Sequence, residues 1–220
     1  MTSAFLSGFA VAAGTTLAIS LASVALGLSA AIGVAACLQR NDALGWASRC
    51  LVVIVRGLPV LVLLFIVYYG TPRLFAVFPS GPMSAVLVLG LHYCAMSADI
   101  LRAAIASTSK IHAEQGAVLG LTRYQITRYL IIPEVVSRAA PALFALAVSL
   151  LKYSSLASVI SVHELTRHAE LVALQTADPI SAYVTSGVFY LLLAIPISLL
   201  GLYVDHWAAG AANGQRLGVA

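Results

Sequence analysis

The chain has 220 residues, 61% of them hydrophobic and only 9% charged, with a mean hydropathy of +0.99. A soluble domain is about half apolar and about a quarter charged, so this composition excludes a soluble globular protein. The net charge of +4, from 12 basic and 8 acidic residues, reads as basic loops on one side of a bilayer rather than as affinity for nucleic acid.

A crossing takes about 20 apolar residues, so four to six helices fit, and residues 1–220 read as one transmembrane domain. The first predicted span runs from Phe9 to Leu38 and ends at Gln39, Arg40, Asn41 and Asp42. No basic region precedes it and it is too long for a signal-peptide core, so no cleavable signal is expected. The second span is predicted from Cys50 to Gly70, ending in the aromatic pair Tyr68 and Tyr69. Residues Thr71 to Pro82 carry three prolines and predict a turn. The third span covers Met83 to Ala106. A polar stretch, His112 to Pro133, follows. The fourth span is predicted to start at Pro141, a tolerable first-turn position, and to reach Val162. Residues 163–179 read as a mixed outer segment. The fifth span covers Ala182 to Tyr203, with Pro196 as a kink. The apolar runs are continuous rather than alternating, which argues against a β-barrel.

Five spans place Arg40, Arg49, Lys110, Arg123, Arg128, Arg138 and Arg216 on one side, and Arg73 and Arg167 on the other. The positive-inside rule then puts the N-terminus outside and the polar stretch in the cytoplasm. That stretch concentrates scarce charge (Glu114, Arg123, Arg128 and neighbouring Lys110), so it presents itself to something in water. Ala113 to Leu119 can form a short helix ending at Gly120, a natural C-cap. So short a helix needs a partner surface. Its small residues Ala113, Gly116 and Ala117 would admit a close approach, and Glu114 suits the positive helix start.

Lys152, eleven residues past Pro141, is predicted near the bilayer midplane, where ionisable groups are costly and usually functional. It either lines a pathway and attracts a carboxylate, or pairs with an acid on a neighbouring helix. Tyr93, Ser97, Ser154 and Ser155 are polar groups within spans that can line a pathway or bond across helices. Asp99 and Arg102 are spaced for an i,i+3 pair. Arg56 can snorkel to the interface, and Gly57 and Pro59 beside it suggest an interrupted helix. The five histidines show no ligand spacing and the three cysteines no CxxC, so no metal site is expected. The Gly-rich phosphate loop is absent, so any ATP chemistry belongs to another chain.

Glu114, Gly120 and Pro133, with Ile132 before the proline, resemble the EAA loop of ATP-binding-cassette importer permeases. The motif's two alanines are Gln115 and Gly116 here. Arg56-Gly57-Leu58-Pro59, the segment from Leu150 to Leu156, Glu164-Leu165-Thr166-Arg167, and Phe5 to Ser20 resemble the polar amino acid subfamily (histidine, glutamate, arginine, opine). Tyr153 stands where that subfamily commonly has an aspartate.

The resemblance implies an all-α integral membrane permease of about five transmembrane helices with a short cytoplasmic coupling helix. Such a chain sits in the bacterial inner membrane and is not itself an enzyme. Glu114, Gln115, Gly116, Ala117, Gly120 and Pro133 would couple it to a pair of ATP-binding subunits, which bind ATP and Mg; this chain binds no cofactor. Glu164 and Arg167 would meet a periplasmic solute-binding protein, and a second permease, identical or homologous, would complete the pathway within membrane lipid. The rivals are a membrane-embedded enzyme, and a channel or secondary transporter without an ATPase. An enzyme would cluster ionisable groups at one depth, whereas Lys152 stands alone there.

Overall fold

A computed structural model describes the backbone at residues 2–76 and 78–217, and the side chains of these residues apart from 2–4, 75, 109–113, 117 and 207–217. In chain order the elements are α1 (Thr2–Leu38), α2 (Ala43–Gly57), α3 (Val60–Phe65), a wide π turn (Ile66–Gly70), α4 (Thr71–Phe75) and α5 (Gly81–Val118). Then come α6 (Arg123–Gln125), a second π turn (Ile126–Ile131), α7 (Ile132–Tyr153), a 3-10 segment (Ser154–Ile160), α8 (Leu165–Thr176) and α9 (Pro179–Leu217). Four stretches are long and apolar enough to cross a membrane: Phe5–Leu38, Gly81–Thr108, Arg123–Ile160 and Pro179–His206. A fifth arises if Ala43–Gly57 and Val60–Leu74 count as one broken span.

That broken span carries the interruption expected beside Gly57 and Pro59, but it begins at Ala43 rather than at the expected Cys50. Its halves meet at 106°, with the break at Leu58 and Pro59. Proline lacks the N–H that would continue the ladder and forces its predecessor out of the helical region. Leu58 accordingly sits at φ −96°, ψ 138°. The helix also continues through Thr71–Phe75, where a turn was expected, because Pro72 falls in a first turn that tolerates it. Pro141 lies inside α7 rather than at its start, and α9 runs through Pro196.

The main apolar core joins α1, α3, α5, α7 and the 3-10 segment through Ala31, Leu64, Leu89, Leu150 and Ile160. A second, toward the N-terminal end of α1, joins Phe9 to Leu165 and Ala169 of α8 and Ala182 of α9. Buried hydroxyls along α1 donate back to the preceding turn: Thr16 to Ala12 O at 3.1 Å and Ser23 to Ile19 O at 2.7 Å. That leaves the helix face smooth, and α1 lies directly on α5. A Cβ on Gly27 would come within 2.5 Å of the Gly90 carbonyl oxygen, a backbone atom that cannot step aside. Gly27→Ala is therefore expected to separate the two helices and cost about 1–3 kcal/mol, a drop of several degrees in thermal midpoint in detergent. Gly33→Ala, with open space around it, is the control and should leave the midpoint unchanged or slightly raised.

Candidate functional site

Three groups of candidate residues separate along the bundle. The first is the polar turn after α5. Its helix is continuous with α5 up to Val118, so the expected short coupling helix is the end of a 38-residue helix and has the stability of the whole. It stops where expected. Gly120 adopts φ +71°, and the Leu121 N–H donates to Gly116 O at 3.0 Å, closing a glycine C-cap. Thr122 then opens α6 with a capping box: the Gln125 N–H donates to Thr122 Oγ1 at 3.3 Å and the Thr122 N–H to Gln125 Oε1 at 2.8 Å. Pro133 cannot supply an N–H to the fourth carbonyl before it, and the chain takes up the defect in the widened turn just ahead. There the Ile132 N–H donates to Thr127 O, one residue further back than in an α-helix.

Gly116 was expected to admit a partner, and the structure corrects this. A Cβ there would meet Ile126 Cγ1 at 2.4 Å, so the chain's own buried Ile126 occupies the space. This accounts for glycine in place of the motif's second alanine. The outward surface is made by Glu114 and Gln115 with Val118, 88% exposed, and Leu119, 71% exposed. Two apolar side chains standing in water beside a carboxylate are unusual for a solvated connector and suit a contact surface. Sequence reasoning passed over both. The signal was available, since Val118 and Leu119 are the apolar pair inside a stretch read as polar. The side chains of Ala117, Lys110 and His112 lie outside the described residues.

The second group was expected to line a pathway within the spans. Tyr93 is buried, and its hydroxyl donates to Leu143 O at 3.0 Å, tying α5 to α7. Ser97 is buried one turn further on. Ser154 is buried and donates to Leu151 O at 2.7 Å; Ser155 donates to Lys152 O at 2.7 Å. Tyr93 and Ser154 are thus tied to backbone carbonyls inside the bundle, the buried Ser97 hydroxyl has no hydrogen-bond partner among the described residues, and Ser155 is only half-buried. Lys152 is different. It is exposed and forms no ion pair among the described residues. It edges a cavity of about 380 Å³ between α7 and α9, with Ser149, Ser198 and, among its other lining residues, Asp205. Its depth also needs revision, because Pro141 is not the helix start. Lys152 lies 14 residues past Arg138, about 21 Å along the helix and roughly two thirds of the way across a core about 30 Å thick.

The third group is on the opposite side of the bundle from the polar turn. Glu164 was expected in a solvated loop, available to a partner protein. It is instead 0% exposed and caps α8. Its carboxylate accepts from the Arg167 N–H at 2.8 Å, the Thr166 N–H at 2.9 Å and the Tyr190 hydroxyl of α9 at 2.7 Å. The next backbone N–H, of Leu165, donates to Thr16 Oγ1 of α1 at 3.1 Å. Helices α8 and α9 thus meet at one buried carboxyl, and α1 is tied to the same turn through Thr16. Burial pushes that carboxyl above its usual range, against the opposing pull of the Thr166 N–H, the Tyr190 hydroxyl and the Arg167 N–H. Arg167 remains partly exposed and pairs with Glu170 at 2.8 Å.

The sequence and the fold of the chain match known proteins. Residues 23–209 match the family described as binding-protein-dependent transport system inner membrane component. The probable amino-acid ABC transporter permease protein YckA of Bacillus subtilis is 34% identical over 180 residues, 80% of this chain and 78% of that one. The arginine ABC transporter permease protein ArtQ of Haemophilus influenzae is 32% identical over 212 residues, 92% and 93% of the two chains. The nopaline transport system permease protein NocM of Agrobacterium fabrum is 27% identical over 203 residues, 88% and 84% of the two. Among solved structures, an amino acid ABC transporter crystallised with histidines superposes with a TM-score of 0.78 at 26% identity, covering 93% of this chain and 94% of that one. The inward-facing MetNI methionine ABC transporter shares the fold, with a TM-score of 0.76 at 17% identity over 94% and 99% of the two chains.

Proposed function

The chain belongs to the binding-protein-dependent transport system inner membrane component family, and from that premise we propose how its surfaces divide the work of an importer. It is a multi-pass amino-acid ABC transporter permease, a translocation component without enzymatic activity of its own. The whole of 1–220 acts as one transmembrane domain in the bacterial inner membrane, N-terminus outside, following the basic residues of the polar turn.

The outward face of Glu114, Gln115, Val118 and Leu119 docks on an ATP-binding subunit, one of a pair that binds ATP and Mg. Gly120 sets the turn that ends this face, and Pro133 sets the wide turn that returns the chain to the membrane. The observation that carries this reading is the rigid continuity of the exposed end with α5. A push on Leu119 is delivered straight to a spanning helix, as alternating access requires. A second permease, identical or homologous, faces this one and completes the pathway. A periplasmic solute-binding protein docks on the opposite side, where Arg167 is partly exposed, while Glu164 holds α8 in place beneath it. The substrate is a polar amino acid or an opine, as the names of the arginine and nopaline relatives suggest.

The test is uptake in proteoliposomes holding this chain with its ATP-binding subunit and binding protein. Uptake of a labelled polar amino acid should require ATP and all components. Glu114→Arg should abolish it while leaving the permease inserted and folded. Uptake by this chain alone, driven by a gradient without ATP, would overturn the reading.

A further inference from the structure

At the level where α2 turns into α3, a cavity of about 360 Å³ lies between the end of α1, α2 and α5. Its polar wall is Arg49, Arg56, Arg102 and Asp99; Leu38 and Val53 are among its apolar lining. Asp99 pairs with Arg56 and, at 3.5 Å, with Arg102. Arg49 makes no ion pair among the described residues, and its guanidinium donates to Arg40 O at 3.3 Å. Three guanidinium groups thus line a cavity that holds one carboxylate, which pairs with two of them, and the cavity is left with two positive charges in excess. Guanidinium forks match phosphate oxygens two at a time.

The outer face of α2 supplies a second and different observation. Trp46, Val53 and Ile54 follow one another at helical spacing and are exposed, Trp46 at 67% and Val53 at 69%. Trp46 is the residue type favoured at the membrane–water boundary. The helix is amphipathic and short, and it is bent by 106° from the half-span that follows, which suits a helix lying in the interface. Val53 belongs to both features, since it lines the cavity and continues the apolar stripe.

We propose that this cavity binds the phosphodiester headgroup of an anionic phospholipid, with an acyl chain running along Trp46, Val53 and Ile54. A free phosphate would use the arginines but not the stripe. A zwitterionic lipid would use the stripe but bring a cation of its own against Arg49. The inference needs only that the chain crosses a bilayer, so it stands or falls separately from the transport reading.

Native mass spectrometry of the purified full chain in detergent tests it. Phosphatidylglycerol and phosphatidylcholine of identical acyl chains are titrated in turn, with inorganic phosphate as the soluble competitor. Phosphatidylglycerol should bind at least about fivefold more tightly than phosphatidylcholine. Arg49→Gln and Arg102→Gln should each weaken it about fivefold, the worth of one basic residue at an anionic surface, and Arg49→Lys should lose less. Val53→Asn should weaken the lipid and leave inorganic phosphate unchanged. Equal binding of the two lipids by the unsubstituted chain would overturn the proposal without any variant having to fold. So would glutamine variants that keep full binding, or inorganic phosphate that displaces the lipid completely at equal concentration.

Discussion

Glu164→Ala should unfold the outer half of this protein at temperatures the unsubstituted chain withstands. The carboxylate is wholly buried and accepts three hydrogen bonds. Its removal leaves two backbone N–H groups at the head of α8 without an acceptor and leaves the Tyr190 hydroxyl only Thr166 Oγ1, at 3.1 Å. Loss of a cap alone costs about 1 kcal/mol, and each buried donor left unpaired adds about 1–3 kcal/mol. A total of about 3 kcal/mol or more follows, roughly 10 °C in thermal midpoint for a chain of this size. Arg167→Ala, which breaks only the partly exposed pair with Glu170, should cost less than about 1 kcal/mol. Equal effects of the two substitutions would mean that the network around Glu164 is not structural.

The same carboxyl gives a pH dependence of determined sign. Held above its ordinary value near 4.5, it binds its proton more tightly folded than unfolded. Its contribution to stability is therefore most favourable in acid below that value and declines as pH rises from there through the folded value. Glu164→Gln should flatten that decline, as read by thermal midpoints across a pH series.

Lys152→Ala should lower transport about tenfold or more through the apparent affinity for substrate, with assembly on the ATP-binding subunits intact. Lys152 is exposed at the edge of the groove between α7 and α9. It forms no ion pair among the described residues, so its charge is available to a substrate carboxylate. A hydrogen bond to a charged group is worth about 1.5–3 kcal/mol, which sets the tenfold floor. Lys152→Arg should recover part of the loss. An effect on assembly rather than on uptake would make Lys152 a contact between the two permeases instead.

What the sequence made legible divides along a physical line. Features set by neighbours in the chain were readable. Gly120 ends a helix because the left-handed turn suits glycine, and the bend beside Pro59 announces itself in Arg56-Gly57-Leu58-Pro59. The Asp99–Arg102 pair is written in its three-residue spacing, although the second partner, Arg56 of α2, was not. Features set by other elements were hidden. Nothing local to Glu164 says that Thr16 and Tyr190 will close over it. Gly116 looked open until Ile126, ten residues on, proved to fill the space. Pro141 misled for a related reason: proline usually marks a first turn, yet here it lies in a long helix whose packing against α5 and α9 absorbs it.

The central claim is that a motor subunit grips the end of α5. In a chain with Cys37, Cys50 and Cys94 replaced, Leu119→Cys offers one thiol on the exposed face. Membranes containing the assembled transporter, treated with a short bifunctional thiol cross-linker, should yield a product joining this chain to a cysteine engineered on the ATP-binding subunit. Its yield should change with ATP. A thiol at 119 that a maleimide labels freely, yet that never captures the ATP-binding subunit in any nucleotide state, would contradict the account.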